Sequence, residues 1–230
     1  MTSTLITGAN KGLGYETARR LLAEGHDVWV AARDPERGAA AAQSLGARLV
    51  TLDVTDGASV AAAADVVAKE GGLDVLVNNA GIVGPRSQVP ETTGEDMRTT
   101  FETNVFGPVR VLHVFAGLLD ASAAPVVVNV SSGVGSLGYA SDPAGPAADI
   151  LLLAYPSSKA ALNMLTVKWA RAHPRWRVNA ADPGFTSTDL NAHRGTQTVQ
   201  EGTDAIVRLA CVAPDGPTGT FADRHGNVPW

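Results

Sequence analysis

The stretch "STLITGANKGLGYETARRLLAEG" (residues 3–25) decides how this 230-residue chain folds. Ser3 to Thr7 form a short β-rich run. From Gly12 onward, apolar residues recur at helical spacing and stop at Gly25, a natural helix terminus. Between strand and helix lies "TGANKGLG" (7–14). Its glycines, Gly8, Gly12 and Gly14, have distinct physical uses: one for a tight turn, one for close approach of the backbone to a pyrophosphate, one for packing helix on strand. The helix start then offers unpaired N–H groups to an anion. A glycine triplet by itself is equally a simple turn; the position between first strand and first helix favours the phosphate reading. A kinase-type phosphate loop is excluded, because Lys11 is followed by Gly12 and not by Ser or Thr.

The alternation continues outward. "DVWVAA" (27–32), "ARLVTLDV" (47–54) and "LDVLVNNAG" (73–81) read as strands, and "PERGAAAAQSLG" (35–46) and "DGASVAAAADVVAKEGG" (56–72) as helices. Further on, 124–132, 176–184 and 218–222 read as strands, and 94–119 and 155–173 as long helices. Short, continuous apolar strands separated by helices imply a parallel sheet buried on both faces. The expected fold is α/β: a doubly wound Rossmann sheet of about seven strands with helices on both faces. It forms a single domain over 1–230, with no linker or internal repeat.

Hydrophobic residues make up 45% of the chain and charged residues 18%, which suits a packed globular core. A net charge of −5 without a Lys/Arg run argues against nucleic acid and anionic membrane as partners. No apolar stretch is long enough to span a bilayer, and "MTSTLITG" lacks a basic leader, so a cytoplasmic location is expected. The single cysteine, Cys211, cannot form an internal disulfide. Metal ligation is not expected either, since His and acidic residues are not set at ligand spacing.

The end of the second strand bears on the choice of dinucleotide. An acidic residue there would hold a ribose 2′-hydroxyl and repel a 2′-phosphate. Ala32 occupies that place, Arg33 follows, and Lys11 adds a second cation from the glycine turn. Together they argue for NADP(H), although Asp34 is one residue away and both cations would also suit a solvated surface.

"YPSSK" (155–159) places a phenol and an ammonium at i, i+4, on one face of a helix and about one turn apart. Pro156 suits the first turn of a helix, whose positive end favours a phenolate. A free phenol titrates near ~10. Bringing it toward neutrality needs roughly 4 kcal/mol, which a partly buried lysine and a cofactor's positive charge would supply together. Ser131 and Ser132 end a strand in "VVVNVSSG" (126–133), and ligands of parallel sheets bind at such carboxyl ends.

"TGANKGLG", "NNAG" (78–81), "NVSS" (129–132), "YPSSK" and "DPG" (182–184), in this order, resemble the short-chain dehydrogenase/reductase family, and its NADPH-dependent carbonyl reductases in particular. The resemblance implies that Tyr155 donates the proton and that Lys159 holds the nicotinamide ribose and lowers the phenol's pKa. Ser132 positions the substrate carbonyl, and Asn104 holds a water in the relay to Lys159. It also implies a cofactor site made by Gly8, Asn10, Lys11, Gly12, Leu13, Gly14, Arg33, Asp53, Val54, Asn79, Ala80, Gly81, Pro183, Gly184, Thr186 and Thr188, with Tyr155 and Lys159. Asp53 would meet the adenine amino group, or else be a turn residue in "DVTD" (53–56). Thr186 and Thr188 are equally cofactor contacts or turn formers.

Two features depart from the family pattern. Ser132 and Tyr155 stand 23 positions apart, wider than is common, so 136–152 reads as an insertion that would form a helical flap over the active site. It leaves both a homodimer and a monomer open. The chain also lacks Asp-Gly-Gly near the last strand. The implied activity is NADPH-dependent reduction of a ketone or aldehyde, or alcohol oxidation in reverse. The alternative is a non-catalytic dinucleotide-binding sensor, and an epimerase or dehydratase is a third. Substrate selection falls to loops near 84–96, 136–152 and 185–198. His193 and Arg194 in the last of these either recognise an anion or are solvated charges.

Overall fold

The computed structural model describes residues 1–230. In chain order the elements are β1 (Ser3–Thr7), α1 (Gly12–Ala23), β2 (Asp27–Ala32), α2 (Pro35–Leu45), β3 (Arg48–Thr51), α3 (Gly57–Lys69), β4 (Val75–Asn78) and α4 (Gly94–Phe101). There follow α5 (Gly107–Ala121), β5 (Val126–Val130), α6 (Leu137–Ser141), α7 (Ala154–Ala172), β6 (Arg177–Ala181), α8 (Val199–Gly202), α9 (Asp204–Ala210) and β7 (Phe221–Ala222). The seven strands form one sheet in the order β3-β2-β1-β4-β5-β6-β7. Every pairing is parallel. The order reverses direction beside β1, which puts the crevice of a doubly wound sheet at the β1 and β4 carboxyl ends.

Strand periodicity divides the core. Leu5, Leu76 and Val127 point to one face, where they meet Val60 and Val67 of α3 and Leu112, Phe115 and Leu119 of α5. Their chain neighbours Ile6, Val77 and Val128 point to the other, against Ala18 and Leu21 of α1 and Ile206 and Leu209 of α9. Both layers are therefore apolar, and a parallel sheet needs both covered. No helix is long and apolar enough to cross a membrane.

Four segments differ from the sequence reading. The long helix expected over 94–119 is interrupted by a π turn, Glu102–Phe106, between α4 and α5. The insertion is helical only over Leu137–Ser141; Pro143 and Pro146 deny the next residues a helix, and Asp142 closes a turn by accepting from the Ala144 amide. The last strand has two paired residues because side chains replace ladder bonds around it: Thr218 Oγ1 accepts from the Val178 amide, and Asn179 Oδ1 from that of Thr220. The helices α8 and α9, unforeseen in the sequence, are short, and α8 opens with a Thr198–Glu201 capping box.

Candidate active site

The glycine turn is cross-braced from below. Gly8 and Gly12 have φ of +65° and +56°, which side chains rarely tolerate. A Cβ on Gly14 would stand 2.5 Å from Asn79 Nδ2 and 2.7 Å from the Gly8 carbonyl oxygen. Asn79 Nδ2 donates to the carbonyls of Thr7 (2.8 Å) and Gly8 (3.2 Å), and Thr7 Oγ1 accepts from the Asn79 and Ala80 amides (3.0 Å each). Asn79 and Ala80 thus hold the turn by side chain and backbone, while Asn10 and Leu13 lie partly exposed along it.

A dinucleotide fits this rim. Asp34, Asp56 and Thr93 cap α2, α3 and α4 with their side chains, but α1 starts at Lys11–Gly12 with no side-chain cap. Its first amides are left for an anion. Arg33 is exposed and joins no ion pair, whereas Asp34 is spent on the Glu36 and Arg37 amides (3.1 and 3.0 Å). The strand end therefore presents a free cation and an occupied carboxylate. Asp53 Oδ1 accepts from the Thr55 amide (2.9 Å) and hydroxyl (2.7 Å). Burial opposes its charge, but Thr55, Arg33 and Arg110 outweigh burial and hold the carboxyl below its usual range. Half of Asp53 is thus a turn former, as one of its two readings had it. Val54 is buried against Gly107, and its carbonyl accepts from Arg110 Nη1.

The other side of the crevice is set by α7. Asn78 Nδ2 donates to Asn129 Oδ1, and Asn129 Nδ2 to Thr166 Oγ1, both at 2.9 Å. This buried chain fixes α7 against β4 and β5. A Cβ on Gly135 would stand 2.6 Å from Lys159 Cβ, so glycine lets the segment after β5 lie directly on α7. The two serines diverge at the strand end. Ser131 is buried, and its hydroxyl donates to Asn163 Oδ1 (2.6 Å). Ser132 stays open and stands beside the Tyr155 hydroxyl, where it favours the phenolate. Lys159 is buried, with Nζ 5.7 Å from the Tyr155 ring centroid and donating to the Val130 carbonyl at 2.8 Å.

The π turn places Asn104. Its Oδ1 accepts from the Ile82 amide (2.9 Å), and its Nδ2 donates to the Ile82 carbonyl (2.8 Å) and to Ser158 Oγ (3.0 Å). Ser158 Oγ donates on to the Tyr155 carbonyl at 2.7 Å. Asn104 therefore links the loop after β4 to the first turn of α7. A Cβ on Gly81 would lie 3.3 Å from Asn104 Oδ1 and 3.6 Å from Lys159 Nζ, so the three meet at one point.

Burial sets the two titrating groups of α7 apart from their ordinary values. Burial pushes Tyr155 up to about 12, against the help of Ser132 and with a further push from Asp182. Burial likewise brings Lys159 down to about 8, while Asp182 supports its charge. The ammonium is itself desolvated and turned to the Val130 carbonyl. In the sequence Asp182 stands only as the first residue of "DPG" (182–184). It is buried, and it accepts from the Gly184 amide at 2.9 Å. Its signal in the sequence was a carboxylate at the carboxyl end of a buried strand.

The segment after β6 folds back over the crevice. Thr186 Oγ1 donates to the Pro183 carbonyl (2.7 Å) and so serves the loop, whereas Thr188 donates its amide to Asn191 Oδ1 (3.3 Å) and sets its methyl 3.8 Å from where a Cβ on Gly12 would stand. Gly184, at φ +66°, faces the Gln197 side-chain amide. Lys11 Nζ pairs with Asp189 at 2.7 Å, and His193 Nε2 meets the same carboxylate at 2.8 Å. Arg86 Nη2 donates to the Leu190 carbonyl at 3.0 Å. Val89 N donates to the Leu151 carbonyl at 3.1 Å, which draws the insertion to the loop after β4. Leu137, Ile150, Leu151, Phe185 and Leu190 stand exposed on these loops.

Known proteins resemble this chain in sequence and fold. The family profile described as short chain dehydrogenase matches residues 2–198. The chain is 33% identical to (+)-neomenthol dehydrogenase of Arabidopsis thaliana, across 96% of this chain and 95% of that one. It is 31% identical to salutaridine reductase of Papaver bracteatum, across 97% and 94%. Among solved structures, the NADPH-bound carbonyl reductase from chicken fatty liver superposes with a TM-score of 0.85 at 30% identity, covering 100% of this chain and 99% of that one.

Proposed function

The chain belongs to the short-chain dehydrogenase family, and from that premise we propose that it is an NADPH-dependent reductase of ketones or aldehydes, reversible toward alcohol oxidation. One observation carries the reading: Ser132, Tyr155, Lys159 and Asn104 converge at the carboxyl ends of β4 and β5, across the crevice from an uncapped helix start. The α1 amides and the glycine turn would hold the pyrophosphate, Arg33 and Lys11 the 2′-phosphate, and the backbones of Asn79 to Gly81 and Pro183 to Gly184 the remainder. When bound, NADPH supplies the hydride that reduces the carbonyl carbon and departs as NADP⁺.

The protein's own part is orientation and the proton. Ser132 Oγ orients the carbonyl oxygen by hydrogen bonding. Tyr155 Oη delivers its proton to that oxygen, so the product gains one hydrogen on carbon and one on oxygen. Lys159 Nζ and Asn104, with solvent, return a proton to the phenol. The exposed leucines and Phe185 around the mouth favour an apolar carbonyl compound, in keeping with relatives named for neomenthol and salutaridine.

The test is NADPH consumption with a panel of apolar ketones and aldehydes, beside NADH. Turnover with NADPH and at least one apolar ketone supports the proposal. Tight NADPH binding without consumption of any carbonyl or formation from any alcohol would overturn it in favour of a dinucleotide sensor.

A further inference from the structure

Arg110 lies in the first turn of α5 and is half-buried. Its guanidinium reaches two ways. Nη1 donates to the Val54 carbonyl at 2.6 Å, and Nη2 donates to Glu102 Oε1 at 2.8 Å. The stem runs past the start of α3, where a Cβ on Gly57 would stand 3.8 Å from Arg110 Cδ. Val54 is buried, and a Cβ on Gly107 would stand 3.0 Å from its Cγ2, so the start of α5 is seated on it. One side chain thus joins the loop after β3, which carries Asp53 and Val54, to the first residue of the π turn.

The second arm depends on that turn. Glu102 and Arg110 are 8 positions apart, and residues so spaced do not share a face of a regular α-helix. The wide turn, closed by the Gly107 amide on the Glu102 carbonyl, brings them into line. The same turn carries Asn104, whose side-chain amide holds both backbone groups of Ile82 and Ser158 Oγ. The Arg110 and Glu102 side chains are only 27% and 39% exposed. A guanidinium forked between a carbonyl and a carboxylate is held more firmly than an exposed ion pair.

We propose that Arg110 is a positioning residue that couples the adenine end of the dinucleotide site to Asn104. The inference rests on the reading of the crevice as an NADPH site with Asp53 and Val54 at its adenine end. Through one arm Arg110 fixes the Val54 carbonyl, and with it the loop that the adenine would meet. Through the other it holds Glu102, and so the π turn on which Asn104 sits. Filling the adenine end then steadies the frame of Asn104, and cutting either arm separates the two ends. Arg110 acts through Val54 and Glu102, not on the reacting atoms.

The test uses 2′,5′-ADP, the adenine half of NADPH, so that no hydride transfer is involved. Its affinity is measured by calorimetry, and the opening of 102–106 by amide hydrogen exchange with and without it. In the unaltered protein 2′,5′-ADP should slow exchange across 102–106 by about threefold or more. Arg110→Met should weaken 2′,5′-ADP binding by about five- to tenfold and abolish the slowing. Glu102→Ala should keep the affinity within about twofold and still abolish the slowing, because only the second arm is cut. Arg98→Met, which removes an exposed ion pair with Glu95 on α4, should change neither. Should Arg110→Met not fold, Arg110→Lys keeps the charge without the fork and should lose the slowing in the same way. A merely structural Arg110 would quicken exchange throughout α5 and leave the response to 2′,5′-ADP intact. Slowing that persists in the folded variants overturns the proposal, as does binding without slowing in the unaltered protein. Failure of the unaltered protein to bind either 2′,5′-ADP or NADPH breaks the dinucleotide reading, and the coupling with it.

Discussion

The two rims of the crevice are built on different principles. The rim made by β1, the glycine turn and Asn79 is a closed set of short hydrogen bonds in which a single added carbon collides with backbone. The rim made by the outer loops near 84–96, 136–152 and 185–198 carries exposed contacts, Lys11–Asp189 and Arg86–Leu190 among them, and bears exposed apolar side chains. The difference teaches where precision is needed. A pyrophosphate and a ribose are constant in shape and reward a rigid cradle, whereas a carbonyl substrate is selected by side chains that differ without disturbing the frame.

The most severe way to test that division is Tyr155→Phe. It should lower kcat by about 10²- to 10⁴-fold, while NADPH affinity, measured by fluorescence titration, stays put. Comparable loss of both would mean the rims are not separable.

The next effect concerns the buried lysine. Its folded value of about 8 lies below the ~10.4 of an unfolded chain, so between these values the unfolded state binds more protons and stability rises with pH. The gain is at most roughly 3 kcal/mol, complete above the upper value and lost as pH falls through about 8. Tyr155, held up at about 12, acts oppositely: its contribution is full below ~10 and declines as pH climbs toward 12. Urea unfolding of the ligand-free protein should therefore show greatest stability from these two groups near pH ~10. Lys159→Met should abolish the rise from neutrality; a rise that survives would place its origin elsewhere.

On the rigid rim, Gly14→Ala should cost about 1–3 kcal/mol in denaturant unfolding and weaken NADPH binding, because Asn79 cannot withdraw without releasing Thr7 and Gly8. Arg33→Asp should leave stability alone and shift the NADPH-to-NADH ratio of kcat/KM by about 10- to 100-fold, the worth of one charge-assisted bond. An unchanged ratio would remove Arg33 from the 2′-phosphate. Smallest of all, Asp189→Ala should leave the melting curve unmoved and raise NADPH affinity by no more than about threefold, since it frees an exposed Lys11. A large effect there would mean the loose rim is not loose.

Legibility followed the same division. The succession of strands and helices and the glycine turn could be read from local period, and the Tyr155–Lys159 pair from its spacing, whereas Asn104 and Ser132 came from resemblance. The choice of Ser132 over Ser131 came from resemblance alone, and the structure supplies the reason: Ser131 is drawn inward to Asn163. What escaped was long-range. Nothing near Asp189 in sequence announces Lys11, 178 positions away. Asp182 was hidden because its carboxylate meets the Gly133 loop, brought beside it only by the sheet. Spacing specified the proximity of Tyr155 to an ammonium but said nothing of the desolvation of either group.

The π turn Glu102–Phe106 packs a surplus residue into one revolution, and each residue of a helix advances it by about 100°. Excising any one of the five would straighten the rod and spin α4 by that angle against α5. Thr100, now wholly enclosed beneath Gly84, would swing toward water, and the Asn104 amide would lose its grip on Ile82. A one-codon deletion would thus unseat both the Thr100–Gly84 contact and the fixture beside Lys159 in a single stroke.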